Sequence, residues 1–413
     1  MEEEAAKEET QLVLKVLEAL KQASHELQAN PSTHSAESDS ASAIKALLEL
    51  ETESNSILSN DPHLSNLSKH LTNLKTLIDT LQKSGSRHGI RSFLSRRVRT
   101  HEISRVAGSI ESEIQAWIDR ETMVNLTRAL QQFLSPAIPL SSSEEDKFLD
   151  IIDQFRNRLA QGFSSELQDL ILKSKVFSDL ESVLCGVNFS KRVREKSAYA
   201  IADLIKFNKD VFVGQVLMGQ TVRALISMGS MASLEVVCSL IKLIKSPLVD
   251  DLEANGEIQK IISFLSLDDL LMKMTAMDCV LEIGYFGRKE AIESMINAGL
   301  IKKLVELQRS ELGGDLIDLG KFDEEREKKG VEVDEFERNG MGRRENRERR
   351  FLESHPFASC VARFAVQLEV GEGLRQREKR AFKQEILKRV REASVSDAEA
   401  ATIVAEVLWG SSP

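Results

Sequence analysis

The sequence predicts an all-α protein in which an antiparallel helical bundle is followed by a short solenoid of stacked helices. The first observation is an apolar helical pattern whose anchors Ile201, Leu240 and Val280 are 39 and 40 residues apart. A fixed period of this length is typical of helical repeats that bury their apolar faces against neighbouring repeats. The second observation is the composition. Only seven of the 413 residues are Pro, the common residue types favour helices, and few segments alternate with period two.

Residues 1–134 are predicted to form the helical bundle. Apolar residues recur there at three- and four-residue spacing in four segments, which Pro, Asn, Ser and Gly separate. The predicted helices cover about 7–29, 43–58, 64–81 and 98–133. Short connections between them favour an antiparallel arrangement. Pro136 and Pro139 follow, so residues 135–173 are predicted to hold a linker and helices that cap the solenoid.

The clear repeats are predicted over residues 174–308. A turn glycine recurs at Gly219, Gly256 and Gly299, and we expect each to stand before a new repeat, where glycine lets the chain turn. The segment 296–307, INAGLIKKLVEL, resembles the join between armadillo repeats, in which Ala-Gly precedes a helix of the form apolar-apolar-x-x-Leu-Val-x-Leu. The resemblance implies a right-handed armadillo-type solenoid, in which the third helix of each repeat lines a groove.

The stretch 309–352 interrupts the repeats and has two interpretations. Its part 321–350 contains ten basic and ten acidic residues, and Val361 follows Val280 by 81 residues, or two repeat lengths. The stretch is therefore either a degenerate extra repeat or a charged, flexible insertion within one repeat. Its low apolar content favours the insertion. Residues 353–413 are predicted to form the final repeat and the C-terminal capping helices.

The sequence contains no recognisable catalytic or metal-binding motif. It lacks phosphate-binding glycine loops, the His-Glu-x-x-His pattern and a nucleophile elbow. The four cysteines are far apart in sequence, and we expect free thiols in the core. The net charge of −10 argues against general binding to nucleic acid. We therefore expect no enzyme activity, no cofactor, no bound metal and no nucleic-acid partner.

Five residues are candidates for a partner-binding groove. In importin-α-like armadillo proteins the third helix carries a Trp, followed four residues later by an Asn. The corresponding pairs here are Tyr199 with Asp203, Cys238 with Lys242, and Asp278 with Glu282. An importin-like cargo reader is therefore not expected. The residues that we expect to face one groove are Tyr199, Asp203, Lys242, Glu282 and Arg363.

A basic segment over residues 87–105 is the second candidate binding feature. Basic residues with interleaved apolar ones can attract anionic lipid or an acidic partner. The alternative is a solvated loop and helix start within the bundle. The candidates for an anionic surface are Arg91, Arg96, Arg97, Arg99 and Arg105.

The whole chain resembles plant armadillo-repeat proteins related to the U-box/armadillo ubiquitin ligases, but it lacks the U-box. About forty residues separate the bundle from the repeats, too few for that module. The resemblance implies a noncatalytic scaffold or adaptor that binds protein partners through its repeats. Two alternatives stay open: a membrane-peripheral regulator that binds anionic lipid through residues 87–105, and a U-box-less component of a ubiquitin-ligase complex.

The compartment is predicted from what the chain lacks. The acidic segment 1–10 does not resemble a targeting peptide, and no segment approaches eighteen consecutive apolar residues. We expect a soluble protein in the cytoplasm, with the nucleus or a peripheral position at the plasma membrane as further locations.

Overall fold

The computed structural model describes residues 21–22, 65–83, 90–135, 142–313 and 354–409. The described residues form helices and loops, with no strand among them. The predicted all-α fold class is therefore confirmed. The chain divides into two compact units, of which one comprises 1–132 with 163–176 and the other 133–162 with 177–413.

The first unit contains part of the predicted bundle. Helix α1 covers Ser65–Lys83, α2 covers Ile90–Leu134 and α4 covers Ser165–Ser174. Helix α2 begins eight residues before the predicted start near Val98, because no helix-breaking residue stands between Ile90 and Val98. The predicted apolar stripes are buried in both long helices. They include Leu67, Leu71 and Leu74 of α1 and Ile103, Ile110 and Ile114 of α2. The predicted helices over about 7–29 and 43–58 lie outside the described residues, apart from 21–22.

The second unit is a solenoid of three-helix repeats. It begins with α3 (Ser142–Ala160), α5 (Val176–Cys185) and α6 (Lys191–Phe207). Each repeat has two short helices and a third helix that carries an apolar anchor of the forty-residue period. The three repeats are α7 (Lys209–Met218), α8 (Thr221–Met228) and α9 (Met231–Ile244); α10 (Ser246–Ala254), α11 (Glu257–Phe264) and α12 (Leu270–Phe286); and α13 (Lys289–Asn297), α14 (Leu300–Arg309) and α15 (Cys360–Val370).

The third helices pack side by side. Helix α6 packs on α9, α9 on α12, and α12 on α15, while α3 packs on the other side of α6. The short helices α7, α10 and α13 form a second row. The anchors Ile201, Leu240, Val280 and Val361 are each fully buried. The period of about forty residues is thus the distance along the chain between equivalent points of adjacent packed helices.

The recurrent glycines correct one sequence-based expectation. Gly256 and Gly299 have φ of 68° and 79°, a conformation that favours glycine. They join the two short helices within a repeat and do not follow the third helix. Gly219 also lies between two short helices, with an extended φ of −90°. The Ala-Gly pattern marks a tight turn, which sequence alone could not assign to a position within the three-helix repeat.

Helix α15 packs directly against α12 and α14, so it takes the place of the third helix in the repeat that α13 and α14 begin. The predicted insertion over 309–352 falls mostly on residues 314–353, which lie outside the described residues. The choice between an insertion and a degenerate repeat stays a prediction. Helices α16 (Gln376–Ala393) and α17 (Asp397–Trp409) follow and pack on α14 and α15.

Arg309 and Glu399 tie the C-terminal helix α17 to α14. Nε and Nη2 of Arg309 donate to the two carboxylate oxygens of Glu399 at 2.7 and 3.0 Å. Glu399 also accepts a hydrogen bond from the backbone N–H of Val395 at 2.7 Å. The hydrogen bond with Arg309 lowers the pKa of Glu399.

We expect Arg309→Gln to destabilise this attachment in a pH-dependent manner. A lowered carboxyl pKa stabilises the fold above the unfolded pKa of about 4.3, and this stabilisation is lost as the pH falls through the folded-state pKa. The difference in Tm between wild type and variant should therefore be present at neutral pH and should become smaller in acid, as Glu399 is protonated in the folded protein. Because both side chains are partly exposed, the effect should stay below about 1 kcal/mol. Melts followed by circular dichroism would contradict this if the difference were equal at both pH values.

Among the described residues, no single helix is long and apolar enough to span a membrane. Only α7 and α8 taken together meet that criterion, and the two helices are bent by 67° relative to each other.

Candidate binding face of the third helices

The site is formed by five helices that pack side by side: α3, α6, α9, α12 and α15. We call each of these helices a rung. One side of each helix is buried against its neighbours, and positions at three- and four-residue spacing on the other side carry polar groups. We call this set of exposed or half-buried side chains the ladder face. It comprises Asp153, Arg156, Lys196, Tyr199, Asp203, Glu235, Lys242, Asp278, Glu282 and Arg363.

Ion pairs join the first two rungs. Nε of Arg156 on α3 lies 2.7 Å from Oδ2 of Asp203 on α6. Lys196 on α6 donates to both carboxylate oxygens of Asp153 on α3 at 2.7 Å. Lys206 adds a contact of 3.2 Å to Asp203. The carboxylate of Asp203 is therefore held between two cations, with its side chain 19% exposed.

Tyr199 connects the second and third rungs. Its hydroxyl donates to Oε2 of Glu235 on α9 at 2.6 Å. The guanidinium carbon of Arg156 lies 5.1 Å from the centre of its ring, within the range of a cation–π interaction. Burial, together with the hydrogen bond to Glu235, raises the pKa of Tyr199. The phenol therefore stays protonated at neutral pH and acts as a hydrogen-bond donor.

Lys242 and Glu282 connect the third and fourth rungs. Nζ of Lys242 on α9 lies 3.5 Å from Oε1 of Glu282 on α12, with side chains 56% and 27% exposed. Burial opposes the charge on Lys242, but the negative charges of Glu282 and of the thiolate form of Cys238 together raise its pKa. Partial desolvation raises the pKa of Asp278, an effect that Arg363 and Lys242 oppose.

Arg363 lies on the last rung, α15. Its Nη1 donates to the backbone carbonyl of Pro356 at 2.7 Å, which orients the guanidinium at the edge of the ladder face. Its charge also acts on Asp278 of the neighbouring rung. Acidic and basic groups are thus mixed along the ladder face, and most of them are paired with a group on the adjacent helix.

The five groove candidates all lie on these third helices. The structure brings Lys242 and Glu282 into direct contact, places Tyr199 and Asp203 around the shared neighbour Arg156, and places Arg363 within electrostatic reach of Asp278. No direct contact joins Tyr199 or Asp203 to Lys242 among the interactions of the described residues. The candidates are therefore successive points of one face and do not form a single cluster.

Sequence reasoning missed the first rung. Asp153 and Arg156 belong to a helix that was predicted only to cap the solenoid. Their partners Lys196 and Asp203 are 43 and 47 residues further along the chain, whereas Lys242 and Glu282 are 40 residues apart. A search for a spacing of 39 or 40 residues cannot find contacts between residues that are 43 and 47 apart. The sequence did contain one signal for this helix: Asp153 and Arg156 are three residues apart, so they lie on the same side of α3.

Most of the basic segment lies outside the residues whose side chains the structure describes. Arg91, Arg96, Arg97 and Arg99 lie in the first part of α2, and their side chains are outside the described residues. Arg105 is exposed on the same helix.

Within the part of the chain that the structure describes, no group of three or more His, Cys, Asp or Glu side chains is arranged to hold a metal ion. The polar groups of the ladder face are surface ion pairs and hydrogen bonds. They leave charge and hydrogen-bonding capacity at the surface of the third helices.

No protein-family profile matches the chain, and no curated protein matches it. Solved structures similar to it include a designed armadillo repeat protein, with 14% identity and a TM-score of 0.39, over 68% of this chain and 99% of that one. Another is a designed armadillo repeat protein in complex with the peptide (KR)4, with 15% identity and a TM-score of 0.39, over 70% and 99%. A third is Kap121p bound to Nup53p, with 11% identity and a TM-score of 0.41, over 95% of this chain and 33% of that one. At these identities the likeness concerns the fold alone.

Proposed function

We propose that the protein is a noncatalytic scaffold or adaptor whose ladder face binds an extended segment of a protein partner. The observation that carries this proposal is the continuity of polar side chains across five adjacent packed helices. Packed helices are about 8–10 Å apart, and an extended chain rises about 3.3 Å per residue. A peptide that crosses the rungs would therefore meet a new helix about every three residues.

The energetics of the exposed ion pairs support this use. A surface pair such as Lys242–Glu282 contributes only about 0–1 kcal/mol to folding, so a partner can replace one member at little cost. A face of mixed charge favours a partner that places opposite charges against its groups, because like charges placed opposite each other are unfavourable. The ladder face therefore favours a partner segment that contains both acidic and basic residues.

The narrower assignments stay predictions. They comprise the relation to U-box/armadillo ligases, the peripheral association with membranes through residues 87–105, and the location in the cytoplasm.

The test exchanges the two charges of the Lys242–Glu282 ion pair between α9 and α12 and keeps the pair itself. The double variant Lys242→Glu with Glu282→Lys retains an opposite-charge pair, so the fold should be unchanged while the charges presented to a partner are exchanged. The control is Arg288→Asp with Asp250→Arg, which exchanges a pair 3.1 Å apart that involves α10 and lies away from the ladder face.

Linear peptides selected from a phage-displayed random library on the immobilised wild-type protein would serve as the probe. We expect the Lys242/Glu282 exchange to weaken the selected peptides about tenfold or more, which corresponds to about 1.4 kcal/mol, and the Arg288/Asp250 exchange to leave affinity unchanged. Isothermal titration calorimetry would measure both. Enrichment of no peptide, or equal affinities for wild type and both variants, would show that the ladder face is not the binding site.

A further inference from the structure

Two thiols lie beside each other where the third and fourth rungs meet. Cys238 on α9 is 7% exposed, and Cys279 on the adjacent helix α12 is fully buried. The sulfur of Cys279 lies 3.5 Å from the carbonyl oxygen of Leu234, one helical turn before Cys238 on α9. A helical side chain tilts towards the preceding turn, so this contact places the two thiols next to each other, and each affects the pKa of the other. Cys238 precedes Lys242 of the ladder face by one turn and is the more exposed of the two thiols.

The two thiols differ in acidity. The hydrogen bond from Cys279 lowers the pKa of Cys238; Lys242 acts in the same direction, while burial, Asp278 and Glu282 oppose it. The same hydrogen bond, together with complete burial, raises the pKa of Cys279. Cys238 is therefore the thiol of the pair that ionises first. A thiolate beside a protonated second thiol is the arrangement of redox-active pairs.

The other two cysteines provide an internal comparison. Burial raises the pKa of Cys360 to about 12. Burial and the charge of Glu181 raise the pKa of Cys185, although this residue is more exposed than Cys238. Exposure alone would thus make Cys185 the most reactive thiol, whereas thiolate formation favours Cys238.

We propose that Cys238 and Cys279 form a reversible disulfide when the protein is exposed to hydrogen peroxide. The Cys238 thiolate attacks one peroxide oxygen, the O–O bond breaks, and the departing hydroxide leaves as water after protonation. This step oxidises Cys238 to the sulfenic acid. The sulfur of Cys279 then attacks the Cys238 sulfur, the S–O bond breaks, and hydroxide leaves as water with the Cys279 proton. In sum, two thiols and one peroxide give one disulfide and two waters.

The disulfide would link α9 to α12 covalently, next to the Lys242–Glu282 pair of the ladder face. It closes a loop from residue 238 to residue 279 and so restricts the unfolded chain. Oxidation should therefore raise the Tm of the solenoid, and reduction by dithiothreitol should reverse the rise.

The test uses the full-length wild-type protein, treated with hydrogen peroxide at increasing ratios, alkylated, and digested for mass spectrometry. We expect the first product to be a peptide pair linked through Cys238 and Cys279, while Cys185 and Cys360 remain alkylated thiols. Dithiothreitol should restore all four thiols.

Two variants make the outcome specific. In Cys279→Ala, Cys238 should stop at the sulfenic acid and be captured by dimedone. In Cys185→Ser, the Cys238–Cys279 disulfide should form as in wild type. The proposal is overturned if Cys185 is oxidised first, if the first disulfide joins two molecules, or if Cys238 in the wild-type protein remains a free thiol after peroxide treatment. Because the wild-type result alone decides this, poor folding of either variant leaves the test intact.

Discussion

Replacing Gly284 by leucine is expected to lower the free energy of unfolding of the solenoid by about 2–3 kcal/mol, the range for overpacking a tight interior. Gly284 lies on α12 at the contact with α15. A Cβ atom built on it would stand 3.0 and 3.3 Å from two ring carbons of Phe364, and 3.6 Å from Cβ of Gln367. Phe364 is fully buried, and in a close-packed interior a ring has little room to move aside. A leucine there must separate the two rungs.

Gly214 is the matched control for this prediction. It lies within helix α7, is exposed, and has no atom within 4 Å of the position that a Cβ would occupy. Gly214→Ala should stabilise the helix by about 0.5–1 kcal/mol. Phe364→Ala should itself cost about 3–5 kcal/mol, but its combination with Gly284→Leu should cost less than the sum of the two single losses, because the smaller side chain makes room for leucine. Denaturant titration followed by circular dichroism would measure all four variants. A Gly284→Leu variant as stable as wild type would contradict the close approach of α12 and α15.

Replacing Glu181 by alanine should cost about 3 kcal/mol, the upper range for leaving buried hydrogen-bond donors without an acceptor. One carboxylate oxygen of Glu181, on α5, accepts from the backbone N–H groups of Gln220 and Thr221 at 2.8 and 2.9 Å and from the Thr221 hydroxyl at 2.7 Å. Thr221 is fully buried at the first residue of α8, so its N–H and hydroxyl, unlike the N–H of the exposed Gln220, cannot turn to water when the acceptor is lost.

Two substitutions separate this role from a general effect of charge. Glu181→Gln keeps an acceptor oxygen and should lose less than half as much stability. Glu293→Ala removes an equally charged residue from an exposed pair 3.4 Å from Lys289 and should cost less than about 0.5 kcal/mol.

A second readout is the alkylation rate of Cys185. Glu181 raises the pKa of that thiol, so Glu181→Ala should accelerate the reaction. Equal stability of Glu181→Ala and Glu293→Ala would contradict the predicted capping role.

The helices and their repetition followed from local sequence patterns. Ile201, Leu240, Val280 and Val361 recur because equivalent points of adjacent third helices must be buried, and burial of apolar area is visible as periodicity. Helix ends were also marked locally, as at Asp269, whose side chain accepts from the N–H groups of Leu271 and Met272 and so begins α12.

The contacts between repeats did not follow from those patterns. The period of about forty residues could not reveal the rung formed by α3, since its partners lie 43 and 47 residues away. The cysteines illustrate the same point, because 41 residues separate Cys238 from Cys279 and only the packing of α9 on α12 brings their thiols together. The mixed signs at Asp203, Lys242 and Glu282 were visible in the sequence, but their cross-helix pairing was not.

The sequence by itself determined an all-helical chain, the length of its repeat and the positions of its buried anchors, because these depend on the spacing of apolar residues along one helix. Only the tertiary structure decided which polar side chains meet across helices, where the ladder face begins and which thiols lie next to each other. Those contacts depend on the rotation and offset of each helix against its neighbours. That offset is set by side-chain packing, including the close approach at Gly284, over distances that no local pattern encodes.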